Sequence, residues 1–83
     1  MDRETATKLF ELHKLEKEYG RGVYPEELHA HGVCTKSQVG PLIENLMETF
    51  SVIEENVQGA NTYRLSNIGL AHLESYLDFK REL

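Results

Sequence analysis

The chain has a single cysteine among 83 residues, Cys34. That excludes an internal disulfide framework and fits a reducing compartment, so a cytoplasmic location is expected. No apolar run reaches transmembrane length, and the polar, acidic opening at 1–7 is not that of a signal peptide. There is no G-x-S-x-G, no H-E-x-x-H and no phosphate-cradling glycine loop, so neither an enzyme nor a cofactor is expected. Internal repeats, low-complexity segments and linkers are also missing. One domain over 1–83 is the expectation, with a core small enough to gain from a partner subunit. Basic charge is the scarcest commodity. Nine Lys and Arg face fourteen Asp and Glu, for a net charge of −5. A nucleic-acid binder usually shows a basic footprint, so any such role here must rest on a local patch.

What is present is organised around residues 35–65. In 35–50 (TKSQVGPLIENLMETF), Val39, Leu42, Ile43, Leu46 and Phe50 recur at helical spacing along one stripe. Thr35 is a good N-cap, and Gln38 three residues later completes a capping box. Pro41 conflicts with a regular helix from Thr35, because it would lose a hydrogen bond to Ser37 and crowd it. A helix with a disturbed first turn reconciles the two. Next come a β-prone run at 51–55, a turn at 56–61 rich in Asn and Gly, and a second run at 62–65. These predict a hairpin.

The remaining segments fit around this unit. A first helix is predicted over 2–19, with Leu9, Leu12, Leu15 and Tyr19 facing the core and Phe10 on another side with Ala6. Gly20 and Gly22 end it. Val23 and Tyr24 form a short strand. Pro25 then opens a second helix over 25–31, anchored by Leu28 and stopped by Gly32. Ser66 caps a last helix over 67–81. It carries one stripe of Leu70, Leu73 and Leu77, and a second of His72, Tyr76, Phe79 and Leu83. Two stripes imply a second covered surface.

With PEEL and HGV, then TKSQVGPLIENL, then the run YRLSNIG at 63–69, the chain resembles winged helix-turn-helix regulators of the MarR, PadR and ArsR kind. It also resembles small archaeal winged-helix proteins that dimerise through a C-terminal helix. The YRLSNIG run is similar to the family's Y-x-L-T-x-x-G ending of the wing. The resemblance implies a mainly α fold with a β-hairpin: a three-helix core, a two-stranded wing and a C-terminal helix at 67–83. It implies a homodimer on double-stranded DNA, with the third helix in the major groove. Carried over, Lys36, Ser37, Gln38, Pro41 and Asn45 face the bases, and Gln58, Asn61 and Arg64 lie on or near the wing. Phe10, His72, Tyr76, Phe79 and Leu83 would form the dimer interface. Gly40 and Pro41 depart from the family, which often has Ser and Arg there. The outward face of the third helix holds Glu44 and Glu48, with Lys36 only at its margin.

Two alternatives stand beside DNA. A protein-interaction module would use the acidic face of the third helix or the second stripe of the last helix. A metal site would draw on His29, His31 and Cys34, but the two imidazoles point about 200° apart on a helix, so no metal is expected. Cys34 precedes a helix N-terminus, which can activate a thiol. With no second cysteine to resolve an oxidised one, a buried apolar role is the expectation.

Overall fold

The computed structural model describes residues 1–76. Helix α1 spans Arg3–Tyr19 and starts at Asp2, whose Oδ1 accepts the Thr5 N–H at 2.7 Å. Its buried residues are Ala6, Leu9, Leu12 and Leu15, a three-residue rhythm along one stripe. Tyr19, predicted to join that stripe, is exposed, and Ala6, predicted to lie off it, is fully buried. Gly20 closes α1 in the left-handed region at φ 68°.

Val23 alone forms the short strand, pairing with Tyr63 by two backbone hydrogen bonds of 2.8 and 2.9 Å. Helix α2, Pro25–Ala30, buries Leu28. It ends with Gly32 at φ 74°, where the Gly32 N–H bonds the His29 carbonyl and the Val33 N–H bonds the Leu28 carbonyl. These crossed bonds satisfy carbonyls that the helix end would otherwise orphan.

A 3-10 turn, Lys36–Gln38, leads into α3, Val39–Glu48. This resolves the conflict over Pro41. It is the third residue of α3, where a backbone N–H has no intrahelical acceptor, so proline sacrifices nothing. Gly40 before it has no Cβ to collide with the proline ring. Helix α3 ends by the same crossed bonds as α2: Phe50 N–H to the Met47 carbonyl and Ser51 N–H to the Leu46 carbonyl. Here the left-handed position, φ 56°, is filled by Phe50 instead of glycine. Phe50 therefore leaves the α3 stripe and is 69% exposed, whereas Leu42 and Leu46 are buried and Val39 and Ile43 half-buried.

Strands β1, Val52–Val57, and β2, Ala60–Leu65, form a two-stranded antiparallel hairpin with Val52 opposite Leu65 and Val57 opposite Ala60. The turn is only Gln58-Gly59, both at positive φ (52° and 85°), rather than the six residues predicted. Asn56 holds the turn with its side chain, accepting the Gly59 N–H at 3.1 Å. Helix α4 is described over Asn67–Tyr76; Ser66 caps it, its Oγ accepting the Gly69 N–H at 2.9 Å. Leu73 is fully buried and Leu70 half-buried. Leu77, Phe79 and Leu83 of the predicted stripes lie outside the described residues. Among the described residues the fold is thus mainly helical, with four helices and a hairpin around a core of Leu9, Leu12, Leu28, Leu46 and Leu73. No helix among the described residues is long and apolar enough to cross a membrane.

Two polar clasps tie the elements together, one between α1 and the hairpin and one between α1 and α2. On β2, the Leu65 N–H donates to Glu16 Oε1 of α1 at 2.8 Å. Between α1 and α2, Arg21 forks onto both Glu27 oxygens at 2.9 and 3.0 Å and donates to the Gly22 carbonyl at 2.8 Å. The guanidinium also lies 4.6 Å from the Tyr19 ring centre and 4.7 Å from that of Tyr24. Arg21 above all, helped by the Tyr24 N–H, holds the Glu27 carboxyl below its ordinary range, while burial opposes the shift. A depressed carboxylate stabilises the fold above its unfolded pKa, and that contribution disappears as pH falls through the folded value. Urea midpoints should therefore fall as pH drops below about 4.3, the ordinary glutamate value. The fall should be shallower in Glu27→Gln. Parallel acid limbs in the two proteins would remove Glu27 as a contributor.

Candidate nucleic-acid interface

The sequence directs attention to the outer side of α3, and the fold presents it. Leu42 and Leu46 anchor the helix inward, leaving Pro41, Glu44, Asn45 and Glu48 exposed, with Lys36, Ser37 and Gln38 exposed on the preceding turn. Gln38 is engaged: its Oε1 accepts the Thr35 N–H at 3.1 Å, as the capping-box pattern predicts. The Ser37 hydroxyl lies 3.3 Å from that of Thr35. Between this side of α3 and the first turns of α1 is an open depression of about 240 Å³. Thr5, Lys8, Gln38, Pro41 and Asn45 line it, together with Glu4 and Leu42. Lys8 is paired with Glu4 across one helical turn at 3.4 Å.

The hairpin brings Gln58 to its tip, while the other two predicted residues have local partners. Asn61 Oδ1 accepts from Asn56 Nδ2 at 3.2 Å. Arg64 Nε lies 3.4 Å from Glu55 Oε2, an ion pair that offsets the one base of the hairpin. Glu54 accepts the Tyr63 hydroxyl proton at 2.8 Å. Burial first, and this bond second, push the Tyr63 phenol up. Both hairpin acids thus have partners within the hairpin. By contrast, Lys36 has no ion pair among the described residues, and neither have Glu44 and Glu48 on α3. The local balance at α3 is one free base against two free acids. A second open depression, about 450 Å³, lies among Glu16, Lys17, Arg21, Glu55 and Arg64, again of mixed charge.

The predicted dimer residues separate. Phe10 is half-buried and packs against the core. His72 is also half-buried and turned onto its own domain, Nδ1 2.9 Å from Ser51 Oγ. Ser51 in turn is 2.7 Å from the Thr49 hydroxyl, which reaches the Asn45 carbonyl at 3.1 Å. If Thr49 donates to that carbonyl, Ser51 donates to Thr49, and His72 Nδ1–H donates to Ser51; every hydrogen is then used. Tyr76 is exposed, its ring edge-on to His72 with centroids 6.3 Å apart. Phe79 and Leu83 lie outside the described residues.

The remaining candidates are engaged elsewhere. The Tyr19 hydroxyl and His31 Nε2 are 2.5 Å apart. Among the described residues no three His, Cys, Asp or Glu side chains are grouped to hold a metal ion. Cys34 is buried in the core, and that burial pushes its thiol up, away from the reactive thiolate. The two clasps and the Thr49–Ser51–His72 chain had no signal in the sequence. Their main links, Glu16–Leu65, Arg21–Glu27 and Ser51–His72, join residues across different segments, which no helical or strand period selects. In comparisons with protein-family models, curated proteins and solved structures, nothing matches this chain.

Proposed function

We propose that the chain is a winged helix-turn-helix transcription regulator that binds double-stranded DNA as a homodimer. The order α1, α2, α3, hairpin and α4 supports this reading. The observation that carries it is the exposed row of Lys36, Ser37, Pro41 and Asn45, held outward by Leu42 and Leu46. In this reading α3 enters the major groove and the hairpin is the wing, its Gln58 tip on the flanking backbone. Helix α4, with Tyr76 exposed and Phe79 and Leu83 following in the sequence, pairs with its two-fold mate.

Lys36 is the phosphate contact of choice, because Arg64 is already paired with Glu55. The test is fluorescence anisotropy of a labelled mixed-sequence duplex at low and rising salt. Affinity should fall linearly on a log-log plot, and Lys36→Ala should reduce the slope by about one. No binding at low salt would sink the proposal. A second reading, a module that docks a basic protein partner, is favoured by one observation: Glu44 and Glu48 are exposed on α3 without ion-pair partners among the described residues. Glu44→Lys/Glu48→Lys would strengthen duplex binding under the first reading and abolish partner capture under the second.

A further inference from the structure

The outer side of α3 bears a side-chain amide with both ends unclaimed. Asn45 is exposed, and among the described residues neither its Oδ1 nor its Nδ2 has a hydrogen-bond partner. The neighbouring amide differs, because Gln38 Oε1 is held by the Thr35 N–H. In the hairpin, Asn56 and Asn61 are bonded to each other. Reading adenine in the major groove takes one acceptor for its N6 amino group and one donor for N7, supplied together by a single amide. Asn45 offers that pair on a helix positioned by the buried Leu42 and Leu46. Reading guanine takes the donors of Arg or Lys. No base lies on α3 itself, and Lys36 precedes it on the 3-10 turn.

Building on the proposed groove-binding role of α3, we propose that Asn45 is the specificity-determining residue of this face and selects an adenine. Gln38, whose sequence position makes it an equal candidate, is a positioning residue: it spends its acceptor on the turn that launches α3. The site read by α3 is accordingly fixed at an A·T pair.

The test selects duplexes from a random-core pool with the full chain, Asn45→Ala and Gln38→Ala, each checked for folding by far-UV circular dichroism. Wild type should enrich an A·T pair at one fixed position. Asn45→Ala should still bind the pool through phosphate contacts but lose that preference, with affinity for the selected duplex about tenfold lower. Changing that pair to G·C should weaken wild type as much and leave Asn45→Ala indifferent. Gln38→Ala should keep the preference. Retention of the preference by Asn45→Ala, or its loss in a folded Gln38→Ala, overturns the assignment while leaving DNA binding intact. Pool binding by wild type without enrichment overturns it as well. Failure of wild type to bind the pool at low salt removes the DNA reading itself, and this inference with it.

Discussion

Gly69→Ala should cost the protein about 3 kcal/mol, at the upper end of what overpacking of a well-filled interior imposes. The sign is not obvious from local propensity. In a free helix, alanine in place of glycine would stabilise by about 1 kcal/mol. Here α4 crosses so close to the start of the hairpin that a Cβ on Gly69 would collide with the Ser51 carbonyl oxygen. It would also stand 2.7 Å from a Leu65 methyl carbon and 3.0 Å from the Ser51 carbonyl carbon. The leucine can turn aside, but the carbonyl cannot. It accepts the Ser66 N–H at 3.0 Å, the bond that leads the chain from β2 into α4. The helix must therefore move, and the Ser51–His72 contact and the burial of Leu73 move with it. Urea unfolding followed by far-UV circular dichroism measures the loss, with the exposed Ser75→Ala on the same helix as control, expected within about 0.5 kcal/mol of wild type. A Gly69→Ala protein as stable as wild type would mean that α4 does not seat on Ser51.

The same glycine shows what was legible in the sequence. YRLSNIG marked the exit from the hairpin, and each of its main features has a physical cause in the fold. Tyr63 and Leu65 face the core side of β2, Ser66 caps α4 and Gly69 permits the crossing. Helix ends were readable where glycine fills the left-handed position, at Gly20 and Gly32. The end of α3 was hidden, because Phe50 takes that position and also falls in phase with the apolar stripe. Periodicity extended the helix through a residue that the backbone had turned outward. The hairpin turn looked longer than it is because Asn56 and Asn61 have loop-like composition but sit in the strands, bonded side chain to side chain.

At the candidate site, exposure was predictable and partnership was not. Helical spacing set Pro41 and Asn45 on the exposed flank beside the buried leucines, with Glu44 and Glu48 opposite those leucines. It carried no information that Gln38 and Arg64 are engaged while Lys36 and Asn45 have no side-chain partner among the described residues. Those distinctions depend on contacts to Thr35 and Glu55, and they decide which side chains remain to meet a ligand.

Leu46→Ala should be the other severe substitution, lowering stability by about 3 kcal/mol through lost burial and an unfilled cavity. Leu46 is fully buried in the common core and anchors α3 there with Leu42. For a domain this small, with total stability at the lower end, about 5 kcal/mol, the loss would leave about 2 kcal/mol and a few per cent of the chains unfolded. Its neighbour Met47 is 38% exposed, so Met47→Ala should change stability by less than about 0.5 kcal/mol. Asn45 lies on the other side of Leu46, and substitutions at the three adjacent residues separate the fold from the proposed function. In the proposed DNA-binding role, Leu46→Ala should weaken binding only in proportion to the unfolded fraction, and a stabilising osmolyte should restore it. In the proposed role, Asn45→Ala should leave the urea midpoint in place and remove the A·T preference, with affinity lowered for the selected duplex. If Leu46→Ala unfolds no more readily than Met47→Ala, α3 is not held by this anchor, and the orientation of its outer row would have to be redrawn.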